Sequence, residues 1–378
     1  MNLTDSMQAD MVQDAMLDVA VVGATGVVGQ QFIVALQQHP WFRISSLAAS
    51  EKSAGKTYED ALKDPDTKAL RWFCCESIPD SVLGMTMQDV STLDLSGVDI
   101  VFTALDSDHA KRLEPTYARI RPVVSAASAF RYESDVPILV PGVNLDHARL
   151  IQTQRKNRQW NGFITPIPNC TTTGLVISLK PILEDFGIES VAMTSMQAVS
   201  GAGRSPGVLS LDVTDNVIPF IPGEEEKVQT ETVKILGSET HDRICSADFK
   251  VSCTCTRVDV LEGHTEAVFV STRKSCDPDT VADSMRRFGR ERRLDLPSAP
   301  REFLVVKGDP FRPQPRLDRD AHGGMAVTVG RIRQDPAREH GVKYVLVSHN
   351  TKLGAAKGAV LVAEYLLKSG YVKRRSNT

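Results

Sequence analysis

The chain has 378 residues, of which 42% are hydrophobic and 24% are charged, and its formal net charge is -3. This length favours two domains over one core, and the composition is typical of a globular protein. Because no basic block stands out beyond the short tail Lys373-Arg374-Arg375, interpreted as a solvated end, the charge pattern excludes a nucleic-acid binder and a membrane-surface protein.

The first residues and the cysteines predict a cytoplasmic protein without a metal site. Residues 1–16 carry acids and no apolar run ahead of a cleavage site, and no apolar stretch reaches membrane-spanning length. Seven cysteines scattered over the chain are typical of reduced thiols. Cys74-Cys75 and Cys253-Thr254-Cys255 lack the paired CxxC spacing of a zinc site.

The first predicted element is a strand that runs into a glycine turn and a helix. The chain reads Leu17–Val22, then Gly23-Ala24-Thr25-Gly26-Val27-Val28-Gly29, then a helical pattern to Leu36. This order predicts a dinucleotide site, in which Gly23 makes the turn, Gly26 lets the backbone approach a pyrophosphate and Gly29 brings the helix close to the sheet. The alternative is a glycine turn without a ligand.

A second strand, predicted over residues 42–49, ends where NAD enzymes usually place an acid on the ribose 2′-hydroxyl. The residues that follow are Ser50, Glu51, Lys52 and Ser53. Two hydroxyl groups and a lysine suit a 2′-phosphate and favour NADP(H), whereas Glu51 argues for NAD. The alternative is a solvated turn.

Further strands are predicted over residues 99–105 and 122–124, with a helix over 109–120 between them. The repeated β-α-β order predicts a Rossmann-type doubly wound parallel sheet, whose ligands bind at the carboxyl ends of the strands. Arg131 follows one of these ends and could reach an anion in the cleft. Such an arginine is more often a surface ion-pair partner.

The segment Pro168-Asn169-Cys170-Thr171-Thr172 precedes an apolar run, so it predicts a loop that delivers a cysteine to a helix start. A thiol there faces free backbone N–H groups and the positive end of the helix dipole. Both favour the thiolate and predict a nucleophile at Cys170. The alternative is a small buried cysteine.

The pattern changes after Cys170. Strands are predicted over residues 190–199, 247–260, 263–272, 325–333 and 342–348, helices over 224–236 and 278–288, and a glycine loop over 200–207. This order predicts an α+β catalytic domain around a mostly antiparallel sheet, over residues 169–350. Residues 1–168 form the predicted NADP-binding domain, which the C-terminal segment 351–378 completes with a helix over 354–367.

A cysteine nucleophile needs a partner that moves protons, and His264 is the best candidate. Gly263 before it indicates a tight turn or bulge that could point the imidazole into a cleft. The alternative is an ordinary surface or core histidine. A dinucleotide fold with an activated cysteine and a histidine indicates aldehyde oxidation through a thioester.

These motifs occur in the order seen in aspartate-semialdehyde dehydrogenases, which the chain resembles from about Val19 to Tyr365. The matching segments are the glycine turn, Ser53-Ala54-Gly55-Lys56, Pro168-Asn169-Cys170-Thr171-Thr172, Gln197-Ala198-Val199-Ser200-Gly201-Ala202-Gly203, Gly223-Glu224-Glu225-Glu226-Lys227 and Gly263-His264-Thr265-Glu266. Residues 216–227, 312–320 and 348–351 look most like the fungal and archaeal branch. The resemblance implies NADPH-dependent reduction of 4-phospho-L-aspartate to L-aspartate 4-semialdehyde, in the biosynthesis of lysine, threonine, methionine and isoleucine.

The resemblance also implies catalytic and substrate-binding roles. Cys170 attacks the aldehyde, His264 is the acid/base that takes the hydroxyl proton, and Gln197 orients the thioester. The substrate and phosphate residues are Arg257 for the carboxylate, Glu224 for the amino group, and Arg131 with Lys227 for the attacking phosphate. Family members commonly have Asn in place of Ala126, in the loop before Arg131.

For the cofactor NADP(H), the glycine turn and the resemblance together predict the residues Gly23, Thr25, Gly26, Val27, Val28, Ser50, Lys52, Ser53, Ser200, Gly201 and Asn350. Family members commonly have Arg in place of Lys52, so the grip on a 2′-phosphate is expected to be weaker. The resemblance implies a dimer interface in the second domain, within a homodimer or a dimer of dimers.

Three alternatives to this function stay open. A malonyl-CoA reductase or, more distantly, an N-acetylglutamyl-phosphate reductase would keep the fold and change the acyl donor. A dinucleotide-binding regulatory protein without catalysis would keep only the cofactor site. Glu224 favours the aspartyl substrate, because malonyl-CoA has no amino group for it to meet.

Overall fold

The computed structural model describes residues 16–202, 210–240 and 242–375. Residues 203–207 of the predicted glycine loop lie outside the described residues, as do residues 1–15 and 376–378 of the predicted first domain. Within the described part, the strands pair into a sheet of six, a sheet of seven and a two-stranded ribbon.

The regular elements follow one another along the whole described chain. The strands are β1 (Leu17–Val22), β2 (Phe42–Ala49), β3 (Met87–Asp89), β4 (Ile100–Thr103), β5 (Pro122–Ser125), β6 (Phe163–Pro166), β7 (Ile188–Gln197), β8 (Val217–Ile218), β9 (Ser238–Thr240), β10 (Arg243–Cys245), β11 (Lys250–Val258), β12 (His264–Thr272), β13 (Leu304–Val306), β14 (Val327–Gln334) and β15 (Gly341–Ser348). The helices are α1 (Val27–Leu36), α2 (Tyr58–Leu62), α3 (Asp80–Leu83), α4 (Ser107–Ala118), α5 (Leu150–Arg158), α6 (Cys170–Phe186), α7 (Ser210–Val213), α8 (Glu224–Ile235), α9 (Pro278–Glu291), α10 (Pro315–Asp318) and α11 (Ala356–Lys368).

The first sheet has the strand order β3-β2-β1-β4-β5-β6, and all of its pairs are parallel. Strands β1, β4, β5 and β6 are buried along their whole length, as expected for a parallel sheet covered on both faces. The strand order reverses between β1 and β4, which is where such folds open a crevice for ligands. The predicted doubly wound parallel sheet is therefore confirmed.

The glycine turn joins β1 to α1. Gly23 has φ +82, and a Cβ atom there would lie 2.4 Å from the carbonyl oxygen of Ala104. A Cβ atom on Gly29 would lie 2.1 Å from the carbonyl oxygen of Gly23. The tight turn at Gly23 and the close approach of the helix at Gly29 are thus confirmed, whereas the contact of Gly26 with a pyrophosphate stays a prediction.

The second sheet has the strand order β13-β14-β15-β12-β7-β11-β8. Its β13–β14 and β7–β11 pairs are parallel and the other four are antiparallel, so this mixed sheet is mostly antiparallel, as predicted. Helices α6 and α9 share a hydrophobic cluster with its strands. The predicted domain bounds of 1–168 and 169–350 stay predictions.

Helix α11 and the residues after it contact the first sheet. Ala359, Val360 and Leu366 belong to the same buried cluster as Val19 and Phe32. The predicted solvated tail is wrong at one residue. The Arg375 guanidinium lies 2.9 Å from the carboxylate of Asp18 and 3.2 Å from that of Asp99. Both carboxylates are buried, so each of their charges needs a partner.

Candidate active site

A cleft of about 780 Å³ is lined by residues next to the first sheet and by residues of the second sheet. Its volume is typical of small-molecule sites. Its first-sheet lining comes from the start of α1 and from the loops that follow β4 and β5. Its remaining lining includes the start of α6, the start of α8, and Arg257 at the end of β11. The cleft therefore lies at the carboxyl ends of the parallel strands, where the fold predicts a ligand.

Cys170 is the first residue of α6 and faces this cleft. The side-chain oxygen of Asn169 accepts hydrogen bonds from the backbone N–H groups of Thr171 at 2.9 Å and Thr172 at 3.2 Å, which caps the helix. The sulfur lies 3.2 Å from Nε2 of His264, although the two residues are far apart in sequence. The predicted position of Cys170 at a helix start is confirmed.

His264 begins β12, directly after Gly263, whose φ is +94. The Gly263 N–H group donates to the side-chain oxygen of Asn350, which fixes this turn. The Ala198 N–H group donates to Nδ1 of His264 at 3.1 Å. Because Nδ1 accepts, the neutral ring carries its proton on Nε2, and that N–H faces the Cys170 sulfur.

Burial opposes the resting thiolate that the helix start predicts. Burial raises the pKa of the Cys170 thiol to about 12, and the negative charge of Glu224 acts in the same direction, against smaller opposing effects from Arg131 and Arg257. Burial also lowers the pKa of His264 to about 3. A helix terminus favours an anion by about 0.3–2 kcal/mol, and loss of hydration outweighs that here. Burial therefore favours the thiol form of Cys170 and the neutral form of His264.

Glu224 joins the other predicted side chains to the cysteine loop. One carboxylate oxygen accepts from the Asn169 side chain at 2.8 Å and from Gln197 Nε2 at 3.1 Å, and the other lies 3.8 Å from Lys227 Nζ. Arg257 is buried, with Nη1 donating to the Ala198 carbonyl. Gln197 is also buried, and its implied role in orienting a thioester stays a prediction.

Arg131 lines the cleft but is not the surface ion-pair partner that was considered. It is 5% exposed, and its guanidinium pairs with the fully buried Glu231 at 2.8 Å. Ala126, where relatives were expected to carry Asn, lines the same cleft. Sequence reasoning predicted the cap at Asn169, which the structure confirms, but missed Glu231. The spacing of Glu224, Lys227 and Glu231 along α8 was the available signal for Glu231, since these positions share one helix face.

The predicted cofactor residues divide into three groups. Val27, Val28, Ser200, Gly201 and Asn350 line the cleft, whereas Gly23, Thr25 and Gly26 form the turn that leads into α1. A Cβ atom on Gly201 would lie 3.0 Å from both Arg257 and His264, so its backbone lies directly against them.

The other group is Ser50, Lys52 and Ser53, which occupy the turn after β2 and are not among the residues that line the cleft. The first N–H groups of α1 have no acceptor within the helix, so the start of α1 suits the anionic part of a dinucleotide.

The described ranges contain neither a metal-binding cluster nor a membrane-spanning helix. In residues 16–202, 210–240 and 242–375, no group of three or more His, Cys, Asp and Glu side chains is arranged to hold a metal ion. Among the helices of the same ranges, none combines the length and the apolar character needed to cross a membrane.

Family models match two parts of the chain. The model described as semialdehyde dehydrogenase, NAD binding domain, matches residues 18–151, and the model described as semialdehyde dehydrogenase, dimerisation domain, matches residues 179–353. An aspartate-semialdehyde dehydrogenase of Archaeoglobus fulgidus is 48% identical over 93% of this chain and 98% of its own length. The chain belongs to the aspartate-semialdehyde dehydrogenase family. A family member from Saccharomyces cerevisiae is 40% identical over 92% of this chain and 96% of its own, so relatives occur in archaea and fungi, as the resemblance implied.

Solved structures of the aspartate-semialdehyde dehydrogenase family share this fold. The Candida albicans enzyme, solved with NADP, has a TM-score of 0.83 and 37% identity, covering 95% of this chain and 100% of that one. The aspartate semialdehyde dehydrogenase II of Vibrio cholerae, solved in complex with ASA, has a TM-score of 0.73 and 29% identity, covering 94% and 99% of the two chains. The expected fold class is therefore also that of the family.

Proposed function

We propose that this chain catalyses the reversible NADPH-dependent reductive dephosphorylation of 4-phospho-L-aspartate to L-aspartate 4-semialdehyde, through a thioester on Cys170. The observation that carries the proposal is the 3.2 Å contact between the Cys170 sulfur and His264 Nε2, in a cleft that also contains the start of α1. The names of the relatives and the NADP bound by the Candida albicans structure support it.

In the oxidative direction, Cys170 adds to the aldehyde carbon after its thiol loses a proton to water in the cleft. Arg131 and Arg257 favour that loss, because both lower the pKa of the thiol. The addition leaves negative charge on the aldehyde oxygen, and the Nε2–H group of His264 is close enough to the sulfur to donate to that oxygen. This donation corresponds to the acid half of the acid/base role implied for His264, and the base half stays a prediction.

Bound NADP supplies the hydride acceptor. Val27 and Val28 at the start of α1 would face its phosphates, and Ser200, Gly201 and Asn350 would hold the end that carries the nicotinamide close to Cys170. Ser50, Lys52 and Ser53 after β2 would meet the 2′-phosphate. A lysine there keeps the positive charge but gives no bidentate contact.

Charged side chains around Cys170 would select the substrate. Arg257 presents a planar fork for a carboxylate, and Glu224 gives a partner for an amino group. Arg131 and Lys227 would bind the phosphate whose oxygen attacks the thioester carbon and releases the Cys170 thiolate. In the biosynthetic direction, the same residues bind aspartyl phosphate and release inorganic phosphate.

The seven free cysteines suit a reducing compartment such as the cytoplasm. The match to a dimerisation domain supports a homodimer, and a dimer of dimers is the larger assembly consistent with it. Small-molecule substrates, rather than nucleic acid or membrane, are the proposed partners.

A single spectrophotometric comparison tests the function. The purified protein is mixed with aspartyl phosphate, malonyl-CoA or N-acetylglutamyl phosphate, each with NADPH and with NADH, and the loss of absorbance of the reduced cofactor is followed. We expect turnover with aspartyl phosphate and NADPH. Turnover with malonyl-CoA and none with aspartyl phosphate would identify this protein as a malonyl-CoA reductase. Cofactor binding without any turnover would identify it as the regulatory protein.

A further inference from the structure

The Arg131 guanidinium makes two hydrogen bonds within the described protein and has a buried Nε group without a partner there. Nη1 donates to a carboxylate oxygen of Glu231 at 2.8 Å, and Nη2 donates to the Ala126 carbonyl at 3.2 Å. The third nitrogen, Nε, is buried and has no hydrogen-bond partner among the described atoms. A buried charged group that lines a cleft with an unsatisfied donor is suited to bind an anion.

Glu231 connects this arginine to the cysteine loop. It is 0% exposed, and its second carboxylate oxygen accepts a hydrogen bond from the Asn169 N–H group at 2.6 Å. Asn169 immediately precedes Cys170 and caps its helix. One carboxylate therefore fixes the distance between Arg131 and the start of α6, although Glu231 lies on a third element, α8.

Lys234 makes a second connection one helical turn further along α8. Its Nζ atom donates to the carbonyl oxygens of Arg131 and Glu133, each at 2.7 Å. Glu224, Lys227, Glu231 and Lys234 follow one another at intervals of three and four residues and therefore share one helix face. The first two are proposed ligands of substrate and phosphate, and the last two hold the loop that carries Arg131.

We propose that Glu231 and Lys234 are positioning residues for the phosphate step: they fix Arg131 relative to Cys170 and so determine the affinity for the oxyanion that attacks the thioester. This inference rests on the proposed function, in which Arg131 binds that phosphate. Glu231 does not touch the reacting atoms. It acts through Arg131, whose buried guanidinium would change position once its partner is removed.

Glu231→Gln leaves one acceptor oxygen where the carboxylate has two, so this side chain can no longer accept from both Asn169 and Arg131. In the oxidative direction with aspartate semialdehyde and NADP, two quantities are measured. They are the KM for inorganic phosphate, and the burst of NADPH formed without phosphate, which reports thioester formation alone.

We expect Glu231→Gln to raise the phosphate KM about 10- to 100-fold, because misplacing a binding group by about 1 Å has effects of this size. The burst should stay within about threefold of wild type, because the Asn169 side chain still caps the helix that begins at Cys170. Lys234→Met should raise the phosphate KM in the same direction by a smaller factor. Glu226→Gln, the same chemical change at an exposed position of α8, is the matched control and should leave both quantities unchanged.

An unchanged phosphate KM in Glu231→Gln would overturn the inference, as would a burst that falls as much as the phosphate-dependent rate. If circular dichroism shows that Glu231→Gln does not fold, the same two measurements on Lys234→Met test the inference. A wild-type protein that forms no NADPH, with or without phosphate, would instead overturn the proposed function itself. The two failures are therefore distinguishable.

Discussion

The cleft has two walls that are built in different ways. The cofactor wall is the start of α1, into which the glycine turn leads. The reaction wall consists of Cys170, Glu224, Arg257 and Lys227, with the buried His264 behind Cys170, and hydrogen bonds and ion pairs hold these side chains. Changes on the cofactor wall should therefore act through backbone geometry, and changes on the reaction wall through charge and proton transfer.

The two walls also differ in the substitutions that they tolerate. The turn at Gly23 is disrupted by any added side chain, whatever its chemistry, because the backbone of Ala104 already fills the space. A buried carboxylate such as Glu224 loses its interactions with its partners when its charge is removed, even if its size is kept. The experiments below use this contrast.

The largest expected effect is that of Cys170→Ala, which removes the proposed nucleophile from the reaction wall. Phosphate-dependent NADPH formation should fall by about 10⁴-fold or more, whereas the dissociation constant of NADP should change little. Cys75→Ala, at an exposed cysteine, is the control and should behave as wild type. Substantial remaining turnover of Cys170→Ala would contradict the thioester mechanism.

The next prediction concerns the protonation of Cys170 without cofactor. Because burial raises the pKa of this thiol to about 12, the thiolate fraction grows about tenfold for each pH unit between pH 7 and pH 10. The rate of inactivation by iodoacetamide, checked by mass spectrometry of the Cys170 peptide, should rise by about 10³-fold over this range. A plateau reached by pH 7 would instead support the thiolate expected from the helix start.

His264→Gln should lower kcat by about 10²- to 10⁴-fold, with a smaller change in the KM for aspartate semialdehyde. The reason is that Nε2 lies 3.2 Å from the sulfur, where charge develops during the reaction. His109→Gln, at an exposed histidine of α4, is the control. A raised KM with an unchanged kcat would contradict the role of His264.

The smallest effect is expected on the cofactor wall, in the free energy of unfolding. Gly23 and Gly55 have nearly the same φ, +82 and +79, but only Gly23 lies against another backbone. Gly55→Ala should therefore lower the free energy of unfolding by about 1 kcal/mol and Gly23→Ala by about 2–4 kcal/mol. Equal losses in thermal or urea unfolding would show that the contact with Ala104 is not tight.

Most of the first sheet and the positions of the two central side chains could be predicted from local patterns. An apolar β-branched run, a glycine turn and a helical pattern predict β1 and α1 within a few residues of their bounds. Asn169 before Cys170 predicts a cap, and Gly263 before His264 predicts a turn, because each pair is adjacent in sequence. Such signals need no knowledge of the rest of the chain.

Properties that depend on distant residues could not be predicted in this way. The pKa of Cys170 depends on how much protein surrounds the sulfur, which no local pattern reports. The contact of Glu231 with Asn169 joins residues 62 positions apart, and the ion pair of Arg375 with Asp18 joins the two ends of the described chain. Burial and long-range pairing decided each of these cases.

The packing of α11 and Arg375 on the first sheet has a consequence for synthesis on the ribosome. The six strands of the first sheet lie within residues 17–166, whereas α11, which packs on that sheet, begins at Ala356. At about 5–20 residues per second, the apolar face that α11 contacts therefore stays uncovered for many seconds after β6 has been made.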